Sequence, residues 1–389
     1  MLTIQSISGR WRALGLLVGL LFLQTASSGG LVAQEVTPPV DWELTSVTEP
    51  TQRLFAAAGG ALFASASQRL LRSDDGGATW QQITLPPDST VAAIDPTNAD
   101  IQYAAGGQGI YRTDDDGASW QLSLGYGPGI GYEVSRLAVS AADHDLLYVG
   151  IKGAAGGSPM GHFLRSLDGG QTWQLLQTEQ LSLCDWSVLL LQPHPMDARR
   201  VFRATACLAG RTFGAPLEAS SDTGATWAAI YNADLSGRPL GGYPLVLAAS
   251  RAAPGRYYLA ANRDARLGGS GVFRSDDDGA TWTGVLASRG GGTPGYQQPD
   301  DDPDAPNVRL GGLVVNPGDV ERVYVGQLSY TQYPPQDPVA GGVLASLDAG
   351  TSWNPLGQDL GGVNDLILGD DGQTLYAATN QGVWRIMLR

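Results

Sequence analysis

The stretch RSDDGGATW, residues 72–80, occurs six times along the chain with small changes. Each copy follows the frame Ser/Thr-x-Asp-x-Gly-x-Ser/Thr-Trp, and successive copies lie 40 to 71 residues apart. A catalytic motif is needed once in a protein, so a phrase that recurs six times indicates repeated architecture. The repeat therefore predicts the fold and leaves the activity open. The aspartates of the six copies, which we expect to be structural, are Asp75, Asp115, Asp168, Asp222, Asp277 and Asp348.

The sequence around each copy divides into four short apolar runs separated by turn residues. In the second unit the runs are VAAI, IQYAA, GIYRT and WQLSL, with DPTNAD, GGQ and DDDGAS between them. Runs of this length with such punctuation predict β-strands joined by tight turns. The Asp phrase then lies in the turn between the third and fourth strands. Its Gly permits a left-handed backbone there, and its Trp supplies apolar area between units.

The last unit ends after three strands, whereas residues 41–47 (DWELTSV) resemble a lone fourth strand ahead of the first unit. Trp42 occupies the place that the phrase's Trp takes in the other fourth strands. If residues 41–47 complete the last unit, the array closes into a ring without a free edge. The sequence therefore predicts an all-β fold, a seven-bladed β-propeller of four-stranded antiparallel blades that is closed by the N-terminal strand 41–47.

The first 34 residues differ from the rest of the chain. Arg10 and Arg12 precede the apolar run ALGLLVGLLFL (13–23), and small residues follow it. This pattern is typical of a cleaved secretory signal peptide, and the run is too short for a comfortable membrane span. We expect a signal peptide over 1–34 with cleavage between 28 and 34, and a single propeller domain over 35–389. The mature protein is then secreted or otherwise extracytoplasmic and has no stable membrane span; an uncleaved anchor is the alternative.

Charge and composition exclude several partners. The formal net charge is −14 and Lys152 is the only lysine, so no basic surface for nucleic acid is expected. The acid-rich phrases at 114–117 and 276–279 are too short to supply the six or more oxygens of a calcium loop. The three histidines, His144, His162 and His194, are predicted on different ends of the ring. We therefore expect no metal and no cofactor.

Two cysteines are present, Cys184 before the first strand of the fourth unit and Cys207 at the end of its second strand. A hairpin turning within QPHPMDAR (192–199) would place them opposite each other, and an exported protein can keep such a bridge. We predict a disulfide between them, with two buried thiols as the alternative.

The strand order also predicts where a ligand would bind. Turns after first and third strands share one end of the ring, and connections after second and fourth strands share the other, where they are long around blades 3 to 6. Long connections on a rigid scaffold commonly carry binding sites, although ordinary packing explains a single aromatic residue equally well. The candidate catalytic carboxylates there are Glu133 and Asp185. The candidate binding residues are Tyr126, Tyr132, Trp186, Tyr243, Tyr296, Arg309, Tyr330 and Tyr333.

The repeated phrase resembles the Asp-box, or bacterial neuraminidase repeat, and all six copies keep its Asp, Gly and Trp. Over nearly the whole mature chain, the sequence resembles seven-bladed Asp-box propellers: photosystem II assembly and stability factors, xyloglucanase-type glycoside hydrolases and sortilin-like domains. The resemblance implies a fold and not a reaction. The Phe/Tyr-Arg-Ile-Pro phrase of sialidases has no counterpart in TQRLFAAAGGALFASAS (51–67), and no motif marks a set of three arginines, although Arg136 and Arg309 are candidates.

Three functions remain open at this point. The preferred one is a secreted, non-catalytic propeller that binds a protein or glycan through the variable loops of blades 3 to 6. The second is a secreted glycoside hydrolase with an Asp/Glu pair at the propeller mouth, which requires two carboxyl groups about 5–10 Å apart. The third, implied by the resemblance, is an assembly factor for a membrane protein complex. Neither the ligand nor the oligomeric state follows from the sequence.

Overall fold

The computed structural model of the chain describes residues 41–126, 132–155, 158–180, 186–207, 216–231, 242–263, 271–287, 310–328, 341–358 and 360–388. These residues form seven antiparallel sheets of four strands each, and one 3₁₀ turn at Ala58–Gly60. The predicted seven-bladed propeller is confirmed. No helix in the described ranges is long and apolar enough to cross a membrane.

The strands are numbered along the chain, and the first of them, β1 (Glu43–Leu44), belongs to the last blade. Blade 1 consists of β2 (Thr51–Ala57), β3 (Ala61–Ala66), β4 (Arg69–Ser73) and β5 (Gln81–Ile83). Blade 2 consists of β6 (Ser89–Ile94), β7 (Gln102–Gly106), β8 (Gly109–Thr113) and β9 (Gln121–Gly125). Blade 3 consists of β10 (Glu133–Val139), β11 (Leu147–Ala155), β12 (Ser158–Ser166) and β13 (Gln174–Gln180).

The remaining blades follow the same order. Blade 4 consists of β14 (Trp186–Pro193), β15 (Val201–Cys207), β16 (Leu217–Ser220) and β17 (Ala228–Tyr231). Blade 5 consists of β18 (Gly242–Ala249), β19 (Tyr257–Arg263), β20 (Gly271–Ser275) and β21 (Thr283–Ala287). Blade 6 consists of β22 (Leu310–Val315), β23 (Val323–Gln327), β24 (Gly342–Ser346) and β25 (Asn354–Gln358). Blade 7 consists of β26 (Val363–Leu368), β27 (Thr374–Thr379), β28 (Gly382–Met387) and β1.

The first strands of the blades form the inner wall of the ring. Each first strand contacts the first strands of both neighbouring blades, from β2 around to β26 and back to β2. They therefore surround the axis, and the second to fourth strands lie successively farther out. Seven apolar clusters fill the spaces between adjacent blades. A blade buries its two faces only against its neighbours, which is why the repeat is stable as a ring.

The N-terminal segment closes the ring as predicted. Strand β1 pairs antiparallel with β28, and beyond the strand Val383 N donates a hydrogen bond to Val47 O (3.0 Å). Trp42 Nε1 donates to Leu356 O of blade 6 (3.2 Å). Val47 is buried against blades 7 and 1. Regular strand geometry covers two residues of the predicted 41–47, and the flanking residues complete the closure.

In four of the six Asp phrases the Trp indole donates a hydrogen bond to the preceding blade. Trp353 Nε1 donates to Val285 O (2.9 Å). Val285 is the bulged residue of β21 and has no partner in the neighbouring strand β20. Leu356, which accepts from Trp42, is the bulged residue of β25. A bulge turns a strand carbonyl away from the ladder, so it is free to accept the indole N–H. Trp42 is thus equivalent to the tryptophans of the phrases.

Every Asp phrase folds into the same hydrogen-bonded turn. Ser166 Oγ donates to Asp168 Oδ1 (2.7 Å), Gly170 N donates to Ser166 Oγ (2.8 Å), and Thr172 Oγ1 donates to Asp168 Oδ2 (2.6 Å). The equivalent bonds in the other five copies span 2.6–3.0 Å. In all six copies the aspartate is the central acceptor of this network.

The turn contains two consecutive residues with positive φ. The predicted Gly is left-handed, as in Gly350 (φ 87°). Its predecessor is left-handed in all six copies, including Thr223 (φ 58°) and Ala349 (φ 59°). Ala349 N donates to Glu321 O (2.9 Å), in the turn after the first strand of the same blade. The Asp phrases and those turns therefore lie at the same end of the ring, which confirms the predicted sidedness.

The Asp phrases predict a steep loss of stability in acid. Hydrogen bonds from the phrase's own hydroxyl and amide groups lower the pKa of each aspartate, to about 2 for Asp168, whereas an unfolded aspartate has a pKa of about 3.9. Between these values the unfolded chain binds more protons, so this stability is complete above about pH 4 and is lost as the pH falls toward 2. We expect the urea midpoint, followed by Trp fluorescence, to fall across this window. Asp168→Asn should make the urea midpoint decrease less with falling pH. The control Asp114→Asn, whose carboxylate lies outside the network, should leave that decrease unchanged. A midpoint that stays constant from pH 4 to pH 2.5 would contradict the prediction.

Candidate functional site

The end of the ring opposite the Asp phrases, the loop face, is formed by the connections after second and fourth strands. Much of it lies outside the described residues, and several predicted site residues lie there with it. Trp186 and Tyr243 lie in the first strands β14 and β18. The predicted residues outside the described ranges are Cys184, Asp185, Tyr296, Arg309, Tyr330 and Tyr333.

Blade 3 extends farther than its neighbours at the loop face. Strands β11 and β12 have nine residues each, against five in β7 and β8. The long connection predicted after the second strand of blade 3 is therefore wrong for KGAAGGSPMGH (152–162), because β11 continues to Ala155 and pairs with β12 from Ser158 onward. The glycines and proline of KGAAGGSPMGH indicate a loop, but cross-strand pairing satisfies the backbone of this segment. This extension, residues 152–155 and 158–162 with 178–180 of β13, is the blade 3 wall.

An aromatic group packs at the base of the blade 3 wall. The Tyr126 and Tyr132 rings meet edge to face with centroids 5.4 Å apart, and the Tyr132 and His162 rings are 5.8 Å apart. Tyr132 lies against Gly153, where a Cβ would come within 2.2 Å of the ring. The Tyr126 hydroxyl is buried, has no hydrogen-bond partner among the described residues, and its pKa is raised by burial. Tyr126 therefore packs inward and Tyr132 is half-buried; their part in binding stays a prediction.

Glu133 forms a solvated ion pair. Its carboxylate lies 3.0 Å from Lys152 Nζ, and 68% of its side chain is exposed. The two residues are cross-strand partners in β10 and β11. A catalytic acid usually lies in an apolar pocket that favours its neutral form, which this arrangement does not provide. Because Asp185 lies outside the described residues, the catalytic pair stays a prediction.

A register shift affects the predicted disulfide. In blade 4, Cys207 is the cross-strand partner of Trp186, two positions after the predicted partner Cys184. The position of the hairpin turn, where Pro193 pairs with Val201, sets this register, and the bulge at Leu189 shifts it by one residue. The predicted bridge to Cys184 falls outside the described residues and stays a prediction. His144 and His194 follow first strands at the Asp-phrase end, and His162 lies in β12 on the blade 3 wall, as the strand order predicted.

The sequence interpretation missed a charged group at the axis. The first strand of every blade begins at the loop face and carries a bulge in its first half. In blades 1, 3 and 7 the residue after the bulge is charged: Arg53, Arg136 and Asp365. The signal is visible in retrospect, because these runs share a polar–charged–leucine pattern, QRL, SRL and NDL. Of the three, only Arg136 had been considered.

These three side chains form one electrostatic site. Burial by the surrounding blades lowers the pKa of Arg53, and the charge of Asp365 opposes this shift. Burial also lowers the pKa of Arg136, which the positive charge of Arg53 lowers further. Burial raises the pKa of Asp365, although Leu54 N donates to its Oδ2 (3.0 Å). These three residues, which define the mouth of the channel at the loop face, therefore influence one another electrostatically.

The bulges of the remaining first strands carry apolar residues or glycine. The bulged residues of blades 4 and 5 are Leu189 and Leu245, both half-buried. In blade 6 the bulge consists of Gly311 and Gly312. A Cβ on Gly311 would lie 2.0 Å from Val363 O, so this strand packs directly on the backbone of β26. The bulged residues of blades 4 and 5 are thus apolar, whereas those of blades 1, 3 and 7 are Gln52, Ser135 and Asn364.

Comparison with known proteins supports the fold. Residues 68–206, from blade 1 to blade 4, match the profile of the family described as sortilin, neurotensin receptor 3 (Sortilin-Vps10). No curated protein sequence matches the chain significantly.

Among solved structures, the xyloglucanase of family GH74 from Xanthomonas campestris is similar with a TM-score of 0.60 and 17% identity, over 89% of this chain and 53% of that one. YCF48 bound to a D1 peptide is similar with a TM-score of 0.55 and 14% identity, over 91% and 98% of the two chains. Oligogalacturonate lyase from Vibrio parahaemolyticus is similar with a TM-score of 0.58 and 7% identity, over 90% and 98%. The chain spans about half the length of the xyloglucanase. These similarities confirm the resemblance to Asp-box propellers as a likeness of fold.

Proposed function

We propose that this chain is a non-catalytic binding propeller that acts outside the cytoplasm and holds a protein or glycan at its loop face, through the connections of blades 3 to 6. The observation that carries the proposal is the blade 3 wall. Its nine-residue strands project at the loop face, where the connections between other blades are also long. A paired-strand extension beside a ring of variable connections is an arrangement that suits a binding site.

Binding is favoured over catalysis because of the chemistry of the described residues. Glu133 is exposed and paired with Lys152, so it resembles a surface ion pair more than a buried acid. The similar solved structures include two carbohydrate-active enzymes and a peptide-bound protein, all at 17% identity or less. Since the same fold serves such different activities, the fold does not favour an enzyme.

Shortening the blade 3 wall tests the proposal. Residues 153–160 are replaced by Asn-Gly, which joins the cross-strand partners Lys152 and Gly161 through a two-residue turn that suits a hairpin. We expect ligands identified on a glycan array or a peptide array to bind at least about tenfold more weakly, a loss of roughly 1.4 kcal/mol. The unfolding temperature should change little, because the removed residues lie beyond the ring.

Two results would contradict the proposal. One is undiminished binding of every array ligand by the shortened variant with a normal unfolding temperature. The other is hydrolysis of a polysaccharide by the wild-type chain that Glu133→Gln abolishes, which would establish the glycoside hydrolase instead. Lys152→Gln serves as the matched control, because it breaks the same ion pair without removing a carboxylate.

A further inference from the structure

We infer that the turn after the first strand of blade 4, residues 194–200, is a pH-sensitive switch at the interface between blades 4 and 5. Protonation of His194 in mild acid removes the acceptor that holds this turn closed. The open turn then releases the contacts through which blade 4 binds the Asp phrase of blade 5. The inference concerns the Asp-phrase end of the ring and does not rest on the binding function proposed above.

In five blades the residue directly after the first strand caps the turn that follows. Its side chain accepts a hydrogen bond from the main-chain N–H two residues later, and in blade 6 Asn316 Oδ1 accepts from both Gly318 N (2.9 Å) and Asp319 N (3.2 Å). Such a side chain satisfies the main-chain donors of the turn and so holds it closed. The five capping residues are Asp95, Ser140, His194, Ser250 and Asn316.

In blade 4 the capping atom is a ring nitrogen that loses its acceptor function when it is protonated. His194 Nδ1 accepts from Met196 N (3.2 Å) and Asp197 N (3.0 Å). Because both partners are donors, Nδ1 carries no proton in the closed turn, and the ring hydrogen is on Nε2. A protonated imidazole donates from both nitrogens, so its Nδ1 hydrogen would face two N–H groups. Of the five capping residues, His194 is the one whose side chain titrates between about pH 5 and pH 8.

The surroundings of His194 favour its neutral form. The residue is 6% exposed, and its ring meets Tyr257 of blade 5 edge to face with centroids 6.2 Å apart. Burial lowers the pKa of His194, and the positive charge of Arg200 lowers it further, whereas Asp197 and Asp278 oppose this shift. The open turn therefore takes up a proton more readily than the closed turn. Closure is strongest above the pKa of an unfolded histidine, about 6.5, and weakens as the pH falls below it.

The turn holds two Asp phrases in place. Within blade 4, Thr223 N donates to Arg199 O (2.8 Å). Across the interface, Arg200 Nη1 forms an ion pair with Asp278 Oδ2 (2.9 Å), and its Nη2 donates to Asp278 O (2.8 Å). The turn positions Arg200 for these contacts, since Arg200 O accepts from His194 N (2.9 Å). Opening the turn therefore loosens the phrases of both blades at the same time.

Hydrogen exchange of the turn amides in the full chain tests this inference. The amides of Met196 and Asp197 report on blade 4. Those of Gly318 and Asp319 are the internal reference, because their acceptor in blade 6 is an amide oxygen that does not titrate. With exchange rates divided by their intrinsic values, we expect protection in blade 4 to fall about tenfold as the pH is lowered from 7.5 to 5.5, and the reference to stay constant. A local readout is needed because burial also lowers the pKa of His162 on the blade 3 wall.

His194→Asn separates titration from packing. Asn Oδ1 stands the same number of bonds from Cα as His Nδ1, so it accepts from the same two amides, as Asn316 does in blade 6. The variant loses the ring contacts with Phe202 and Tyr257. We therefore expect lower protection at both pH values but no tenfold fall between them. His144→Asn, whose side chain is 56% exposed, is the matched control and should keep the wild-type response.

Several results would overturn the inference. They are equal pH responses of the two turns in wild type, a tenfold fall that persists in His194→Asn, and titration of the wild-type His194 ring at or above about pH 6.5. NMR of the ring nitrogens measures this titration directly, so the inference stays testable if His194→Asn does not fold. The same spectra identify the tautomer, and a neutral ring with its proton on Nδ1 would contradict the hydrogen bonds from Met196 N and Asp197 N.

Discussion

Gly382→Ala is expected to destabilise the ring by about 3 kcal/mol or more. Gly382 opens β28 with φ +128°, and a Cβ at this position would lie 2.1 Å from Val47 O. Val47 O accepts the hydrogen bond from Val383 N that locks the N-terminal segment onto blade 7. An alanine therefore adds backbone strain and drives a methyl group into the closure, which must shift and give up its bond. Urea unfolding followed by Trp fluorescence measures the cost.

Gly372→Ala is the matched control for this prediction. Gly372 belongs to the same blade and also has a positive φ (+62°), but a Cβ there meets nothing closer than 3.8 Å. Its cost is limited to backbone strain, about 1 kcal/mol. We also expect Gly382→Ala to reduce the hydrogen-exchange protection of Val383 N. Equal costs for the two variants, with that protection unchanged, would show that the closure contributes little to stability.

The ring could be predicted because the same pattern of strands and turns recurs along the sequence. The Asp phrase fixes the turn between the third and fourth strands six times over, and each strand run is bounded by turn residues, so local errors cancel. Residues 41–47 were assigned to blade 7 by the missing fourth strand and by Trp42, and the pairing of β1 with β28 confirms both. Sidedness followed from strand order alone, since antiparallel blades leave no other choice.

The features that the sequence did not reveal arise from the ring rather than from single strands. A bulge does not change the composition of a strand, so the seven bulges of the first strands and the carbonyls that accept the Trp indoles were not visible in the sequence pattern.

The second strands share an aromatic residue at one position, and Tyr103 OH there donates to Gly169 O of the next blade (2.9 Å). That signal is present in the sequence, but it becomes meaningful only once neighbouring blades are in contact. The aromatic residues of this position are Phe63, Tyr103, Tyr148, Phe202, Tyr258, Tyr324 and Tyr376.

The candidate site divides in the same way. Tyr126, Tyr132 and Glu133 were found because they flank a long connection, and the structure places them together at the base of the blade 3 wall. Arg53 and Asp365 were missed because a single charged residue in an apolar run looks the same in the sequence as an exposed residue of an ordinary surface strand. Only the ring brings side chains more than 300 residues apart to one channel mouth, where their charges interact.

The interface between blades 3 and 4 contains a buried arginine. Arg203 follows the aromatic position of β15 and is 4% exposed, where the equivalent residue of β11 is Val149. Its Nε donates to Glu218 Oε2 (2.9 Å) and its Nη1 donates to Gln177 Oε1 of blade 3 (2.8 Å). The guanidinium also lies 4.0 Å from the centroid of the Trp227 ring. This arrangement replaces an apolar contact by a paired cation.

Arg203→Leu is therefore expected to lower the free energy of unfolding by about 3–5 kcal/mol, because it leaves the carboxylate of Glu218 largely buried without its partner. The double variant Arg203→Leu/Glu218→Leu should recover most of this loss, since paired apolar side chains occupy such positions in other blades and a buried ion pair adds little over them. Arg199→Leu, whose side chain is 77% exposed, controls for the loss of a positive charge and should change stability by less than about 0.5 kcal/mol. Urea unfolding of wild type, Arg203→Leu, Glu218→Leu and the double variant gives the coupling energy directly. A double variant as unstable as the sum of Arg203→Leu and Glu218→Leu would show that the arginine acts through Gln177 and the aromatic rings of the interface, independently of its carboxylate.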